Sequence, residues 1–160
     1  MSKYMGLRLI RRGLDAATMF AAVFLIAVFA LTASMLQPEE AAYYQPGLVS
    51  EYGLGTVMLL LFMMGAGLMG VLFLISRYPK IYRYPVEITQ NNVEIQFLLA
   101  KITFSLLQLI CAAYFCALMI GVFQATIPLG SYAFYTLTGA ALGAAGIFFV
   151  SYILIAKLNK

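Results

Sequence analysis

Three polar side chains recur at intervals of seven residues in the third apolar stretch of this chain. Glu94, Lys101 and Gln108 fall on nearly the same face of a helix, because seven residues complete about two helical turns. Ser105 lies on that face as well, so the polar stripe extends from the edge of the stretch to about its middle. Polar and charged groups in such positions can form ion pairs, relay protons or hold a ligand.

We consider two interpretations of this stripe. In the functional one, Lys101, Ser105 and Gln108 line a path for a proton, an ion or a ligand that opens towards the cytoplasm. In the structural one, Gln108 forms a hydrogen bond with another helix and Lys101 extends to the lipid headgroups. We favour the structural interpretation because Gln108 carries no charge. Asp15 is expected at about the same depth as Lys101, and we hypothesise an ion pair between them.

Residue types that carry catalysis are otherwise scarce. The chain contains no His and only two Cys, Cys111 and Cys116, whose separation along a helix directs their side chains apart. Lys101 and Ser105 lie one turn apart on one helix, which is a spacing common by chance. There is neither a phosphate-binding loop nor a dinucleotide fingerprint. The sequence therefore predicts no catalytic residue, no cofactor and no metal ion, and we expect a protein that is not an enzyme.

The composition predicts that lipid is the solvent of this protein. Apolar residues make up 64% of its 160 residues and charged residues 10%. A soluble domain contains about 45–50% and about 25%, respectively. Such a chain could not cover its apolar surface with polar groups in water. Four apolar stretches are each long enough to cross a membrane as a helix, which needs about 20 residues.

The basic residues predict the orientation of these four spans. All ten lie in the first, third and fifth segments beside the apolar stretches, and short basic loops stay in the cytoplasm during insertion. With three acidic residues on that side its net charge is +7, whereas three glutamates outside give −3. We therefore expect both termini inside, contact with anionic lipid headgroups and no nucleic-acid binding. The basic residues are Lys3, Arg8, Arg11, Arg12, Arg77, Lys80, Arg83, Lys101, Lys157 and Lys160.

These patterns predict an all-α fold, an integral membrane antiparallel four-helix bundle with both termini in the cytoplasm. Residues 1–160 form a single membrane domain. Residues 1–14 are a basic lead that either lies in the headgroup layer or simply anchors the first span. The expected spans are residues 16–36, 55–76, 97–122 and 132–156, with an outer loop of residues 37–54 and an inner loop of residues 77–96.

Small residues on two of the spans predict close approach between helices. Gly65, Gly67 and Gly70 give the second span a small-residue patch. Gly139 and Gly143 form a GxxxG motif on the fourth span. We expect this motif to serve packing within the monomer rather than a dimer.

The inner loop is the most polar part of the chain. Its two Tyr-Pro pairs hold the backbone extended. Thr89 is the predicted N-cap of a helix from Gln90 onward, with Asn92 where a full capping box has Glu or Gln. The tyrosines and basic residues of the loop suit lipid headgroups or an acidic partner, and they suit a rigid connector equally. The candidate recognition residues are Arg77, Tyr78, Pro79, Arg83, Tyr84, Pro85, Thr89, Asn92, Glu94 and Gln96.

This loop also resembles that of a known family. The run from Ser76 to Thr89, followed by Asn92, Glu94, Gln96 and Phe97, is similar to a loop in a family of small bacterial membrane proteins of unknown function. A domain of that family also forms the N-terminal part of immunity proteins of the SdpI type. The resemblance covers residues 51–101 and implies a four-span module in the cytoplasmic membrane of a bacterium.

The chain departs from the family pattern in two places. Arg83, Asn91 and Phe97 stand where family members usually have Asn, Glu and Tyr. The outer loop of the family usually carries a motif with the run His-Phe-Asn, whereas this chain has no His and shows only Gln45-Pro46-Gly47 in that neighbourhood. A role of that motif outside the membrane would be lost or changed here.

Together these observations predict a non-enzymatic integral membrane protein. We expect an accessory subunit or regulatory module that acts by contact with another membrane protein or with copies of itself. Two alternatives remain open. Immunity to a membrane-active toxin is implied by the SdpI resemblance alone. A small transporter or channel would use the intramembrane stripe of Asp15, Lys101, Ser105 and Gln108.

Overall fold

Four long helices make up most of the structure. The computed structural model describes residues 5–35, 53–78, 84–90, 92–124, 127, 129 and 131–158. Its helices are α1 (Met5–Ser34), α2 (Leu54–Arg77), α3 (Val93–Phe123) and α4 (Tyr132–Leu158). These residues contain no β-strand, and the predicted all-α four-helix bundle is confirmed. All four helices are long and apolar enough to cross a membrane. Apart from its last two residues, the expected outer loop lies outside the described residues.

Helix α1 is longer than the first expected span. It begins at Met5, so most of the basic lead continues directly into the apolar helix and does not form a separate segment. The first 34 residues contain no Pro, and a Gly within a helix costs only about 1 kcal/mol. An unbroken helix also satisfies its own backbone hydrogen bonds as it enters lipid.

Helix α3 occupies the centre of the bundle. Its buried residues extend along its whole length, whereas Ala156 is the buried residue of α4. Helices α1 and α2 both pack extensively on α3 and less on each other, and α4 packs chiefly on α3. Three helices therefore form a group, and the fourth lies against one side of it. We call the end where α1 and α3 begin and α2 and α4 end the basic end.

Aromatic rings and one glycine close the core of the α1–α2–α3 group. Phe29 of α1 stacks on Phe62 of α2 with ring centroids 4.4 Å apart. At Gly65, α2 comes so close to α3 that an added Cβ would lie 2.8 Å from Cγ of Phe115. The Sγ of Cys111 lies 3.9 Å from the carbonyl oxygen of Gly65, and both cysteines are buried and free. The predicted close approach of the second span is confirmed at Gly65 but not at Gly67 and Gly70, where an added Cβ would meet no atom within 4 Å.

Two polar contacts hold α4 against α3 in one antiparallel register. Near the basic end, Nε2 of Gln96 donates a hydrogen bond of 2.9 Å to the carbonyl oxygen of Ala156. Further along, the hydroxyl oxygens of Tyr114 and Thr138 lie 2.9 Å apart. Tyr114 follows Gln96 by eighteen residues and Thr138 precedes Ala156 by eighteen, which is about five helical turns on each helix. Both contacts therefore share one pair of faces, and sliding α4 along α3 would break both.

The glycines of α4 lie on the side of the helix that faces away from α3. Gly139, Gly143 and Gly146 are exposed, and a Cβ added to any of them would meet no atom within 4 Å. The expectation that the GxxxG motif serves packing within the monomer is therefore wrong. The larger residues of the opposite face, among them Phe134 and Leu137, pack against the core instead.

Asn92 organises the turn before α3. Its Oδ1 accepts a hydrogen bond of 2.8 Å from the backbone N–H of Thr89, and its Nδ2 donates one of 3.0 Å to the carbonyl oxygen of Glu87. The first of these bonds is the one that Glu or Gln makes at the third position of a capping box. Asn92 therefore makes the bond of a capping box, but the N-cap of α3 is Asn92 itself, and the prediction of Thr89 as the N-cap is wrong. Regular helix begins at Val93 rather than at Gln90.

We predict that Gly65→Ala lowers the stability of the protein. The new methyl group would overlap the Phe115 side chain, and overpacking of a core costs about 1–3 kcal/mol. Gly67→Ala is the matched control, because Gly67 lies on the same helix with no atom within 4 Å of an added Cβ. Thermal unfolding in one detergent compares the two variants. Equal unfolding temperatures would contradict the close contact between α2 and α3.

Candidate functional site

A cavity of about 560 Å³ lies between α1 and α2, with α3 as its floor. Its walls extend from Arg11 to Ile26 on α1 and from Phe62 to Arg77 on α2, so it occupies the half of the bundle nearest the basic end. Its volume falls in the range of about 300–1,000 Å³ that is usual for small-molecule sites.

The cavity brings together all four residues of the predicted intramembrane stripe. Asp15 lines it from α1, and Lys101, Ser105 and Gln108 line it from α3. The Oγ of Ser105 lies 3.4 Å from Oδ1 of Asp15, which makes a long hydrogen bond between the two helices. Residues that are remote in the sequence therefore form one polar surface.

The hypothesised ion pair between Asp15 and Lys101 is wrong. Within the described residues, the cation beside Asp15 is Arg11, whose Nε lies 3.5 Å from Oδ2 of Asp15. Arg11 precedes Asp15 by one helical turn, so the two side chains meet without bridging between helices. The ammonium of Lys101 lies over the ring of Phe97, 4.6 Å from its centroid.

Positive charge exceeds negative charge at this end of the cavity. Arg11, Arg77 and Lys101 line it, and Asp15 is the one carboxylate among the described lining residues. The guanidinium of Arg77 lies over the ring of Phe73, with Cζ 4.9 Å from the centroid. In the part of the chain that the structure describes, neither Arg77 nor Lys101 has a carboxylate within 4 Å. The cavity therefore carries a net positive charge that aromatic faces balance only weakly.

One buried hydrogen-bond donor that lines the cavity, Nε2 of Gln108, has no acceptor among the described residues. Gln108 is only 4% exposed, and an unsatisfied buried donor costs about 1–3 kcal/mol. Gln108 therefore lacks the interhelical partner that the structural interpretation of the stripe required.

The deeper part of the cavity is apolar and open at its side. Leu25, Phe62 and Met69 are among its lining residues. At its edges Met19 is 72% exposed and Phe73 is 47% exposed. Such large apolar side chains face lipid in a membrane helix, so the cavity opens laterally between α1 and α2.

The predicted recognition residues of the inner loop do not form one surface. Arg77 lines the cavity, Asn92 holds the turn before α3, and Gln96 is fully buried against α4. Glu94 forms an ion pair with Arg8 of α1, in which the Nε of Arg8 lies 3.1 Å from Oε1. Glu94 therefore joins two helices at the basic end and does not continue the stripe into the cavity.

The remaining residues of this set are partly exposed. Tyr78 is 58% exposed at the end of α2, Thr89 is exposed, and Tyr84 and Pro85 are half-buried. Burial raises the pKa of the Tyr84 hydroxyl, so this group is neutral at physiological pH. Pro79 and Arg83 lie outside the described residues.

Sequence reasoning missed two arginines that act at this end of the bundle. Arg11 precedes Asp15 by four residues, a spacing that signals an ion pair on one helix and could have been recognised. Arg8 pairs with a residue 86 positions away, and only the packing of α1 beside α3 makes that contact predictable.

The arrangement can bind an anion, donate hydrogen bonds and accommodate an apolar chain. Among the described residues, no group of three or more His, Cys, Asp or Glu side chains could hold a metal ion. Neither a family model, nor a characterised protein, nor a solved structure matches this chain. The likeness to the small bacterial family therefore depends on the motifs of residues 51–101 alone.

We predict that Gln96→Leu weakens the attachment of α4. The variant removes the hydrogen bond to Ala156 at a fully buried position, and such bonds between membrane helices contribute about 0.6–2 kcal/mol. Gln90→Leu is the matched control because Gln90 is exposed. Thermal unfolding in detergent should show a lower midpoint for Gln96→Leu alone. If both variants unfold like the native protein, Gln96 does not hold the two helices together.

Proposed function

We propose that this protein is a non-enzymatic membrane module that acts by helix contact, as an accessory subunit or regulatory module of another membrane protein. The observation that carries this proposal is the uncovered glycine face of α4, formed by Gly139, Gly143 and Gly146. This face points away from α3, and nothing in the described residues covers it.

A glycine face gains more from a protein partner than from lipid. Apolar surface alone does not drive helices together in a bilayer, because lipid tails are as apolar as side chains. Small residues let two backbones approach closely, and dispersion forces and weak Cα–H···O contacts then stabilise the pair. The occupant that this surface suits is therefore a transmembrane helix that also has small residues.

The attachment of α4 supports the same proposal. Its two hydrogen bonds to α3 fix the helix in rotation and in register, so the glycine face is presented without rearrangement. A preorganised surface loses little conformational entropy on binding. A partner on this face would leave the cavity between α1, α2 and α3 accessible, because no described residue of α4 lines that cavity.

The described packing favours contact over conduction. Beyond the cavity, the space between α1, α2 and α3 is filled by core residues that include Leu118, Met119 and Met58, each at most 2% exposed. A channel or transporter would need a path through this layer. In the described structure the stripe therefore ends in a cavity that does not continue through the bundle, which suits binding better than transport.

The orientation in the membrane belongs to the same proposal. The described basic residues lie at or near the basic end of the bundle, and the positive-inside rule favours the cytoplasm for that end. Reporter domains fused to either terminus should be active only in the cytoplasm. Activity of either fusion on the outer side would contradict a topology with both termini inside.

Affinity purification with a matched pair of variants tests the helix contact. The tagged protein is extracted from native membranes in mild detergent, and its companions are identified and quantified by mass spectrometry. We expect a stoichiometric partner with the native chain and with Gly67→Leu, and a loss of about tenfold or more with Gly143→Leu. Gly67 is a suitable control because it is an exposed glycine on α2.

Three other outcomes would change the proposal. A partner that Gly143→Leu retains in full would show that α4 is not the contact surface. Recovery of a homo-oligomer that Gly143→Leu dissolves would identify a second copy of this chain as the occupant. Recovery of the native protein as a monomer would contradict the subunit function. Assays of toxin protection and of transport would then be the next experiments.

A further inference from the structure

The cavity between α1, α2 and α3 has features that helix contact through α4 does not require. No described residue of α4 lines it. It combines a cationic end, a buried donor without an acceptor and an apolar part that opens sideways. Each feature constrains the chemistry of a ligand, and the three together define one class.

The cationic end selects an anion. Arg11, Arg77 and Lys101 face one carboxylate, Asp15, which leaves a charge of +2 on the described lining. These groups lie at the basic end of the helices, where a lipid headgroup would meet them. Clustered Lys and Arg residues at this depth attract anionic headgroups with about 1 kcal/mol for each residue.

A second polar contact lies deeper in the cavity. Gln108 follows Lys101 by seven residues, so it lies about 10 Å further along α3. Its Nε2 is buried and has no acceptor among the described residues. A ligand that satisfies this donor must carry an oxygen acceptor well below its anionic group.

The rest of the cavity suits an aliphatic chain. Apolar side chains from α1 and α2 surround the space beyond the polar end, and the exposed edges at Met19 and Phe73 leave it open to lipid between the two helices. A molecule could therefore enter from the bilayer without crossing the headgroup layer.

We propose that this cavity binds one anionic glycerophospholipid. The phosphate would lie among Arg11, Arg77 and Lys101, an ester carbonyl would accept the hydrogen bond of Gln108, and one acyl chain would fill the apolar part. A fatty acid carries its oxygen atoms at one end only, so it would leave Gln108 unsatisfied. A zwitterionic phospholipid offers the same esters, but its cationic headgroup would lie beside three positive charges.

Native mass spectrometry of the delipidated full-length protein tests this assignment. The protein in neutral detergent is titrated with phosphatidylglycerol, phosphatidylcholine of the same acyl chains, or oleate. We expect one tightly held phosphatidylglycerol per chain, retained about tenfold better than phosphatidylcholine. Lys101→Ala and Arg77→Ala should each weaken that retention about fivefold.

Three further variants separate the cavity from general surface charge. Arg12→Ala removes the same charge from an exposed residue that does not line the cavity, and it should leave retention unchanged. Gln108→Leu should weaken phosphatidylglycerol about fivefold and leave oleate unaffected. Ala66→Leu fills the apolar part without any change of charge and should weaken phosphatidylglycerol as well. If a charge variant fails to fold, Ala66→Leu still tests whether phosphatidylglycerol binds in the cavity.

The assignment is overturned by any of three results. Equal retention of phosphatidylglycerol and phosphatidylcholine would show that the cationic residues of the cavity do not select an anionic headgroup. An equal loss with Arg12→Ala and Lys101→Ala would show attraction to surface charge and not to the cavity. Oleate held as tightly as phosphatidylglycerol, with no effect of Gln108→Leu, would assign the cavity to fatty acids.

Discussion

The burial of α3 is the constraint on which the rest of the structure depends. In lipid, each helix satisfies its own backbone, and helices associate through close packing and a few polar contacts. Here α1, α2 and α4 all pack on α3, and α2 approaches α3 closely at Gly65, against the ring of Phe115. Because α1 and α2 converge on α3 more than on each other, the cavity opens between them. Because α4 lies on one side of α3, its outer face stays bare.

Polar side chains on α3 fix the positions of α1 and α4 against it. Gln96 and Tyr114 fix α4, Glu94 holds the start of α1, and Ser105 reaches Asp15 of α1. A buried polar group such as the Gln96 amide would be costly to leave without a hydrogen bond in lipid, whereas the Arg8–Glu94 pair is exposed at the basic end. Gln108 is the exception because its buried donor has no described acceptor, and it lies where a ligand could supply one.

Much of the fold follows from the sequence, and much of the site does not. Helix number, approximate spans and the face shared by Lys101, Ser105 and Gln108 follow from hydropathy and helical periodicity. Periodicity cannot tell which helix a face meets, and this explains two errors. The GxxxG pair of Gly139 and Gly143 is expected to pack inside the monomer but faces outwards, and Asp15 is expected to pair with Lys101 although its ion pair is with Arg11.

The inner loop shows the same limit. Its polar residues form a compact set in sequence, and a single recognition surface was a reasonable prediction for them. In three dimensions, Arg77 turns to the cavity, Asn92 closes a turn, and Gln96 is buried against α4. Residues that are close in the sequence therefore contact different parts of the protein. The direction of each side chain is determined by the helix or turn that carries it, and the sequence alone does not show that direction.

The outward direction of the α4 glycine face is the central claim, and photocrosslinking in native membranes tests it most directly. A photoreactive residue placed at Gly143 should give an adduct with a helix of another polypeptide. The same residue at Ala141, on the α3 side of α4, should crosslink within the chain or not at all. Adducts from Gly143 to α1 or α2 of the same chain would contradict the outward direction, and adducts to lipid alone would contradict the contact with a partner helix.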